Sequence, residues 1–365
     1  MWLDCNQQAF LALVRAGLWQ VEVRLSTYGD IMFPELYRLA DEQTVVGLIA
    51  AGIEYVVDLI VPQKESLAIA GHVLQIEQRS AAMNHFISYL VDGMRRNGIY
   101  TLLVKGQGVA QCYERPLWRA CGDIDFYLSE SNYEEAKAFL TPMADKVDEE
   151  NKKYKHQGMT INSWVVELHG SLHSSLSWKI NKGLDKVHTA VFNGGEVRSW
   201  NDNGITVFLP SADNDIIIIF SHFITHFYIG GIGLRQICDW IRLLWTYRES
   251  IDVKLLNKRL VSMGLMAEWQ AFGSLAVEFL DMPEDAMPFY LKSKKNTRRA
   301  NKILRLIFEA GNLGHNRDNS YRNKHSLLTG KVITFFRRLS EYVKLARIFP
   351  CHAPKIFIAY VFDKL

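Results

Sequence analysis

The sequence predicts an α+β protein in which a small mixed sheet lies between two helical regions. Three observations support this fold class: helical periodicity over residues 1–98, alternating strand and helix patterns over 99–210, and a return to helical periodicity over 211–365. With 365 residues, 48% of them apolar and 22% charged, the chain can bury a large core, and disorder should not dominate it.

The N-terminal region repeats apolar residues at three- and four-residue spacing, which predicts helices up to about Gly98. The run IYTLLVKG then predicts a buried strand, and QGVAQCYE can begin a helix. GDIDFYL predicts a second strand, followed by a helix that begins near Ser131. GMTINSWVVELHGSL predicts two more strands, split near Asn162 and Ser163.

From Ser211 onward the pattern is again helical, as in PSADNDIIIIFSHFITHFY and LRQICDWIRLLWTYRES. The window from Ile216 to Leu234 contains no Asp, Glu, Lys or Arg and is about as long as a bilayer crossing. Its two histidines and its Gly-Gly pair favour a buried helix and turn over a membrane span.

The cysteine pattern and the N-terminal residues predict where in the cell the protein is located. The five cysteines are scattered and form no C-x-x-C pair, which argues against a disulfide framework or a zinc site. The N-terminal residues MWLDCNQQAFLALVRAG lack the basic start, long apolar run and cleavage site of a secretion signal. We therefore expect a cytoplasmic protein.

Charge is unevenly distributed along the chain. From Leu291 onward, 17 Lys and Arg stand against 4 Asp and Glu, a local charge of +13, so the first 290 residues carry −10 and the whole chain +3. A basic region of this kind suits nucleic acid, anionic lipid or an acidic partner, and equally a solvated helix surface. Residues 311–325 within it are expected to form an exposed loop.

Asp123 and Asp125 are the first candidate site residues, because side chains at i and i+2 of a strand leave the same face. Two carboxylates this close repel each other unless a cation lies between them, and Mg²⁺ prefers carboxylates with water and substrate phosphates. Alone, the pair is a weak signal and is more typical of two solvent-facing acids at a strand end. Glu167 could supply a third carboxylate or take a proton from an attacking hydroxyl, and His169 shares its strand face.

Lys105, Gly106 and Gly108 lie between a predicted strand and a predicted helix. Glycines at such a turn let backbone N–H groups approach an anion, with the lysine charge beside it, although the order differs from a Walker A loop. Arg119, in the loop just before the aspartates, is a further candidate cationic contact.

Two pairs on predicted helices have four-residue spacing. His222 and His226 could ligate a metal ion, but no H-E-x-x-H pattern accompanies them, which favours core or substrate-pocket histidines. Arg235 and Asp239 are expected to pair across one helical turn, and the alternative is a role in orienting substrate.

Taken together, the Lys-Gly turn, the arginine loop, GDID and the downstream VELH resemble the nucleotidyltransferase superfamily with the DNA polymerase β type fold. The likeness is closest to its poorly characterised bacterial branch, which HFITHFYIGGIGLRQICDW also resembles. The turn departs from the superfamily pattern, since it reads KGQG where Gly-Gly or Gly-Ser is usual. The resemblance implies that Asp123 and Asp125 hold metal ions and that Glu167 is the third acid of a nucleotidyltransferase core.

The function this implies is Mg²⁺- or Mn²⁺-dependent transfer of an NMP unit from an NTP to an unidentified acceptor, which could be a small molecule, a protein or RNA. The turn from Lys105 to Gly108 and Arg119 would position the triphosphate, with secondary roles for His169, Arg235 and Asp239. One alternative is a catalytically inactive module of the same fold that binds nucleotide, protein or nucleic acid. Another is an RNA-modifying transferase that uses the basic C-terminal region.

Overall fold

A computed structural model describes residues 3–312 and 327–364. These residues contain fourteen α-helices, a mixed five-stranded sheet and a two-stranded sheet, which confirms the predicted α+β class. The predicted loop over residues 311–325 lies almost wholly outside the described residues.

Four helices precede the sheet. A capping box starts the first, where Asp4 Oδ1 accepts from the Gln7 backbone N–H at 2.8 Å. The fourth ends just before Gly98, whose φ of 75° lies in the left-handed region that glycine adopts readily, so the predicted helix end is confirmed. The helices are α1 (Cys5–Trp19), α2 (Phe33–Glu42), α3 (Val46–Ile53) and α4 (Gln63–Arg96).

The main sheet has the strand order β1-β2-β5-β4-β3. Strands β2 and β5 pair in parallel, and every other neighbouring pair is antiparallel. The strands are β1 (Thr101–Val104), β2 (Asp123–Leu128), β3 (Lys146–Val147), β4 (His156–Ile161) and β5 (Trp164–His169).

Two helices interrupt these strands, α5 (Gly106–Ala110) after β1 and α6 (Glu130–Leu140) after β2. Helix α6 starts earlier than its sequence pattern predicts. Its N-cap is Ser129, whose Oγ accepts from the Asn132 backbone N–H at 3.4 Å, so the predicted start near Ser131 is wrong by two residues. The helix begins there because Ser129 still has extended backbone and directly follows the strand.

Strands β4 and β5 form a tight hairpin. Asn162 and Ser163 have φ values of 49° and 66°, the left-handed pair that a two-residue hairpin turn requires. The split predicted at these residues is therefore confirmed. Ile161 pairs with Trp164 beside the turn, and a histidine pairs with a histidine five residues further along, at the outer end of the hairpin.

The remaining elements follow the sheet along the chain. The window 216–234 forms most of a largely buried helix and the turn after it, which confirms the buried-helix prediction. No helix among the described residues combines the length and the apolar content needed to cross a bilayer. These elements are α7 (Trp178–Phe192), β6 (Val197–Asp202), β7 (Ile205–Pro210), α8 (Ala212–Ile229), α9 (Leu234–Tyr247), α10 (Val253–Met263), α11 (Met266–Leu280), α12 (Lys294–Ala310), α13 (Leu327–Ala346) and α14 (Ala353–Lys364).

The main sheet lies between two apolar clusters. Ile124, Phe126 and Leu128 alternate along β2 and pack with α4 and α6 on one face. Tyr127, between them in sequence, packs on the opposite face in a larger cluster built from α1–α3 and the helices after β7. Asp123 and Asp125 share the Tyr127 face, because strand side chains alternate. The acids therefore face the larger helical layer.

Candidate active site

Asp123, Asp125 and Glu167 meet on one face of the sheet. Parallel pairing of β2 and β5 sets Asp125 directly opposite Glu167 and Asp123 opposite Val165. One carboxylate oxygen from each acid lies within 4.8 Å of the other two. The three acids that the sequence singles out thus converge, with Ile124 buried on the opposite face.

Lys105 reaches this cluster from the turn after β1. Its Nζ lies 2.6 Å from Asp125 Oδ1, and the Asp125 side chain is only 2% exposed. Lys105 has a φ of 58° and Gly106 a φ of 37°, so the backbone turns sharply between β1 and α5. A Cβ at Gly106 would also lie 3.0 Å from Cys121 Sγ, which leaves little room for a larger residue. The turn directs the lysine toward the acids.

The three acids differ in electrostatics. Burial alone would raise the pKa of Asp125, but Lys105 and the hydrogen bond from His169 hold that pKa below its ordinary value. The negative charge of Asp125, together with burial, raises the pKa of Asp123. The positive charge of Lys105 therefore stabilises the charged form of Asp125 but does not offset the repulsion at Asp123. A bound cation would relieve that repulsion.

Two histidines bracket Glu167. His169 Nε2 lies 2.8 Å from Asp125 Oδ1 and 3.5 Å from Glu167 Oε2, while His156 Nε2 lies 3.1 Å from the same Glu167 oxygen. Hydrogen bonds from His156 and then His169 lower the pKa of Glu167 well below its ordinary range. Sequence reasoning identified His169 but missed His156.

The signal for His156 is present in the sequence. A two-residue turn at Asn162 and Ser163 pairs residues equidistant from it, so His156 falls directly opposite His169. Predicting the turn type as well as the split would have placed both histidines on one face.

Arg119 and Asp239 form a buried ion pair. Arg119 Nε and Nη2 donate to the two Asp239 carboxylate oxygens at 3.1 and 2.6 Å, and Tyr113 Oη donates to Oδ1 at 2.8 Å. The predicted pairing of Asp239 with Arg235 is therefore wrong. The loop carrying Arg119 folds onto α9 because Gly47 of α3 packs against it, where a Cβ would lie 2.0 Å from the Trp118 carbonyl oxygen.

Arg235 points elsewhere, with Nη1 donating to the Ala120 carbonyl at 2.8 Å. Among the described residues, Arg235 Nε and Arg119 Nη1 are buried donors with no hydrogen-bond partner. Both arginines border a cavity of about 270 Å³ in front of the acids. Its lining comprises Lys105, Gly106, Val109, Arg119, Asp123, Asp125, Glu167, Ile219, His222, Phe223, His226, Arg235, Gln236 and Asp239. A cavity lined by both arginines and carboxylates suits an anionic ligand that arrives with a metal ion.

His222 and His226 line the same cavity, with ring centroids 4.5 Å apart. Burial, followed by the nearby Lys105 charge, lowers the pKa of both imidazoles, that of His226 to about 4. Neither belongs to a metal-binding cluster among the described residues. Both are therefore neutral histidines that line the cavity, and a role in binding substrate stays a prediction.

Gly108 does not line the cavity. It lies inside α5, where a Cβ would meet Leu209 Cδ2 of β7 at 2.9 Å. Close packing of α5 on β7 accounts for the small residue, and a nucleotide-binding role for Gly108 remains a prediction. Helix α5 also has only five residues, so its dipole adds little attraction for an anion.

The acid cluster fits a hard divalent cation. Its donors are carboxylate oxygens that lie close enough together to share a metal ion. Repulsion from Asp125 raises the pKa of Asp123, and a bound cation would relieve that repulsion. Magnesium and manganese both prefer such oxygen ligands and keep open positions for water and phosphate.

A family model described as uncharacterised nucleotidyltransferase matches residues 30–281. The match runs from α2 to α11 and includes the whole sheet and every residue lining the cavity in front of the acids. No curated protein and no solved structure matches the chain.

Proposed function

Since this chain belongs to the uncharacterised nucleotidyltransferase family, we propose that it is a divalent-metal-dependent enzyme that transfers an NMP unit from an NTP to an acceptor hydroxyl or phosphate. We further propose that its sheet is a core of the DNA polymerase β type. The observation that carries the proposal is the convergence of Asp123, Asp125 and Glu167, with oxygens within 4.8 Å, at a cavity that Arg119 and Arg235 also line.

Asp123, Asp125 and Glu167 would hold Mg²⁺ or Mn²⁺. The bound ion supplies charge neutralisation at the triphosphate and lowers the pKa of the attacking group. Glu167 suits ligation better than proton abstraction, because its two histidine hydrogen bonds hold its pKa far below neutral and a weak base accepts a proton poorly.

The cations of the cavity suit the triphosphate. Arg119 and Arg235 both line the cavity, and guanidinium groups bind phosphate oxygens through charge-assisted hydrogen bonds. Lys105, now paired with Asp125, supplies a third positive charge at the edge of the acid cluster. In-line phosphoryl chemistry depends on such positioning and neutralisation more than on covalent participation.

The cavity of about 270 Å³ is small for a whole nucleotide, but a second cavity of about 260 Å³ adjoins it and shares Lys105 and His222 in its lining. We assign the triphosphate to the arginine-lined cavity. The second cavity, lined by serines, Asn151 and Tyr154, is then left for the nucleoside or the acceptor hydroxyl.

The test is label transfer from α-³²P-labelled NTPs, with Mg²⁺ or Mn²⁺, to acceptors in a cell extract. Asp123→Asn and Asp125→Asn should lose transfer, whereas Glu22→Gln, a change at an exposed acid, should retain it. Equal transfer by the wild type and both aspartate variants would contradict the mechanism. Tight NTP binding without any transfer by the wild type would favour the catalytically inactive binding module.

A further inference from the structure

Beside the acid cluster, His156, Glu167 and His169 form a second group of converging donors. They come from the β4–β5 hairpin, in which His156 and His169 are direct cross-strand partners. One donor atom from each of the three residues lies within 4.8 Å of the other two. Two imidazoles and a carboxylate form a different donor set from the three acids.

The distances agree with ligation of one ion. Two ligands each about 2.1 Å from a metal lie about 3.0 Å apart when cis in an octahedron and about 3.4 Å apart in a tetrahedron. The two histidine Nε2 atoms lie 3.1 and 3.5 Å from the same Glu167 oxygen. Their rings are tilted by 46° with centroids 4.9 Å apart, so the two edges reach that oxygen from different directions.

We propose that His156, Glu167 and His169 bind a divalent transition-metal ion, such as Mn²⁺, Co²⁺ or Zn²⁺, at a site distinct from the acid cluster and sharing Glu167 with it. Imidazole nitrogen favours these ions over Mg²⁺, which prefers oxygen throughout.

The surroundings allow an ion and further ligands to reach the site. The side chain of His156 is 36% exposed, and both histidines border the cavity of about 260 Å³ that also contains Asn151, Tyr154 and Ser171. Three protein ligands leave positions for water or substrate oxygen.

Binding at this site also affects its neighbour. His169 Nε2 contacts Asp125 at 2.8 Å, and a nitrogen that ligates a metal ion can no longer donate that hydrogen bond. Asp125 Oδ1 then loses its contact with His169 and keeps that with Lys105. The two sites are therefore coupled through His169 as well as through Glu167.

This inference extends the proposed function by one metal site, and its test measures metal binding without turnover. It can fail while the nucleotidyltransferase proposal stands, and the reverse also holds.

The experiment titrates the metal-free full-length chain with Co²⁺ and follows the visible absorption of the bound ion. We expect saturable bands for the wild type that persist under excess Mg²⁺. His156→Ala and His169→Ala should lose these bands or weaken Co²⁺ affinity at least about tenfold, since loss of even an outer-shell partner of a metal ligand costs about 10–100-fold. His85→Ala, at an exposed histidine of α4, and Asp123→Asn should retain them.

Retention of wild-type bands and affinity by His156→Ala would overturn the proposal, because the histidines would then only hold Glu167 in place. An independent measurement on the unmutated protein guards against misfolded variants. Pulsed EPR of the Mn²⁺-loaded wild type should show coupling to imidazole nitrogen, and its absence would also overturn the site.

Discussion

Asp125 and Glu167 lie directly opposite each other on parallel strands, although a helix and two strands separate them along the chain. Parallel neighbours need such a connection, so the register between β2 and β5 depends on everything folded between them. The same register brings Asp125 within 2.8 Å of His169 in the β4–β5 hairpin. The charged groups and hydrogen bonds around this pair lower the pKa of both acids.

The buried contact between Lys105 and Asp125 should show strong coupling. Asp125→Leu leaves a buried ammonium without its main partner, and Lys105→Met leaves the carboxylate beside two other acids. Each single change should lower the free energy of unfolding by about 3–5 kcal/mol. The double variant should lose clearly less than the sum, which a double-mutant cycle in urea measures. Additive losses would show that the contact contributes little.

Arg235 and Arg119 should separate nucleotide binding from stability. Arg235→Gln should weaken NTP binding about tenfold through loss of a charge-assisted contact, with a smaller loss of stability than at Arg119, since Arg235 forms no bidentate ion pair and donates one hydrogen bond to the Ala120 carbonyl among the described residues. Arg119→Gln should lower the free energy of unfolding by about 3–5 kcal/mol, because Asp239 stays buried without its cation. Calorimetric titration and urea unfolding measure the two effects. Normal NTP affinity in Arg235→Gln would remove this residue from the triphosphate site.

Gly108 should behave as a packing residue. A Cβ there would meet Leu209 at 2.9 Å, so Gly108→Ala should destabilise the protein by about 1–3 kcal/mol, and Leu209→Val should restore part of that loss. Gly71→Ala on α4, where nothing lies within 4 Å of the added Cβ, should instead be neutral or stabilising by about 0.5–1 kcal/mol. A large drop in NTP affinity at unchanged stability in Gly108→Ala would favour the nucleotide-binding role.

His222 and His226 should make stability fall in acid. Their pKa values are lowered in the folded state, so below about pH 6.5 the unfolded chain binds more protons and the free energy of unfolding decreases as pH falls toward 4. For His226 alone we expect roughly 1–2 kcal/mol between pH 7 and 5. The double variant His222→Gln with His226→Gln should lose less over that range in urea unfolding. The charged or titratable groups facing the pair are Lys105, Asp125, Glu167, His169 and Arg235.

Local patterns predicted much of the fold and part of the site. Strand alternation placed Asp123 and Asp125 on one face, and β-rich spacing located Glu167 on a strand. The parallel pairing that brings Glu167 to them is set by tertiary packing, which no local pattern specifies. His156 could have been found from the two-residue turn.

The partner of Asp239 could not have been predicted in this way. Spacing on a helix suggests Arg235, but the loop carrying Arg119 arrives from a distant part of the chain and offers two donors to both carboxylate oxygens. Its position depends on the close approach of Gly47 to a loop carbonyl. Long-range fit of this kind outweighs the weak preference of an i, i+4 pair.

The early helices have consequences for synthesis on the ribosome. Trp19 Nε1 donates to the carbonyl of Leu280 at 2.5 Å, and the fully buried Gln43 contacts both Leu234 and Ile307. During synthesis, 261 further residues must be added after Trp19 before its acceptor at Leu280 is present. Until then the apolar faces of α1–α3 are not covered by the later helices. During this interval chaperone binding competes with folding.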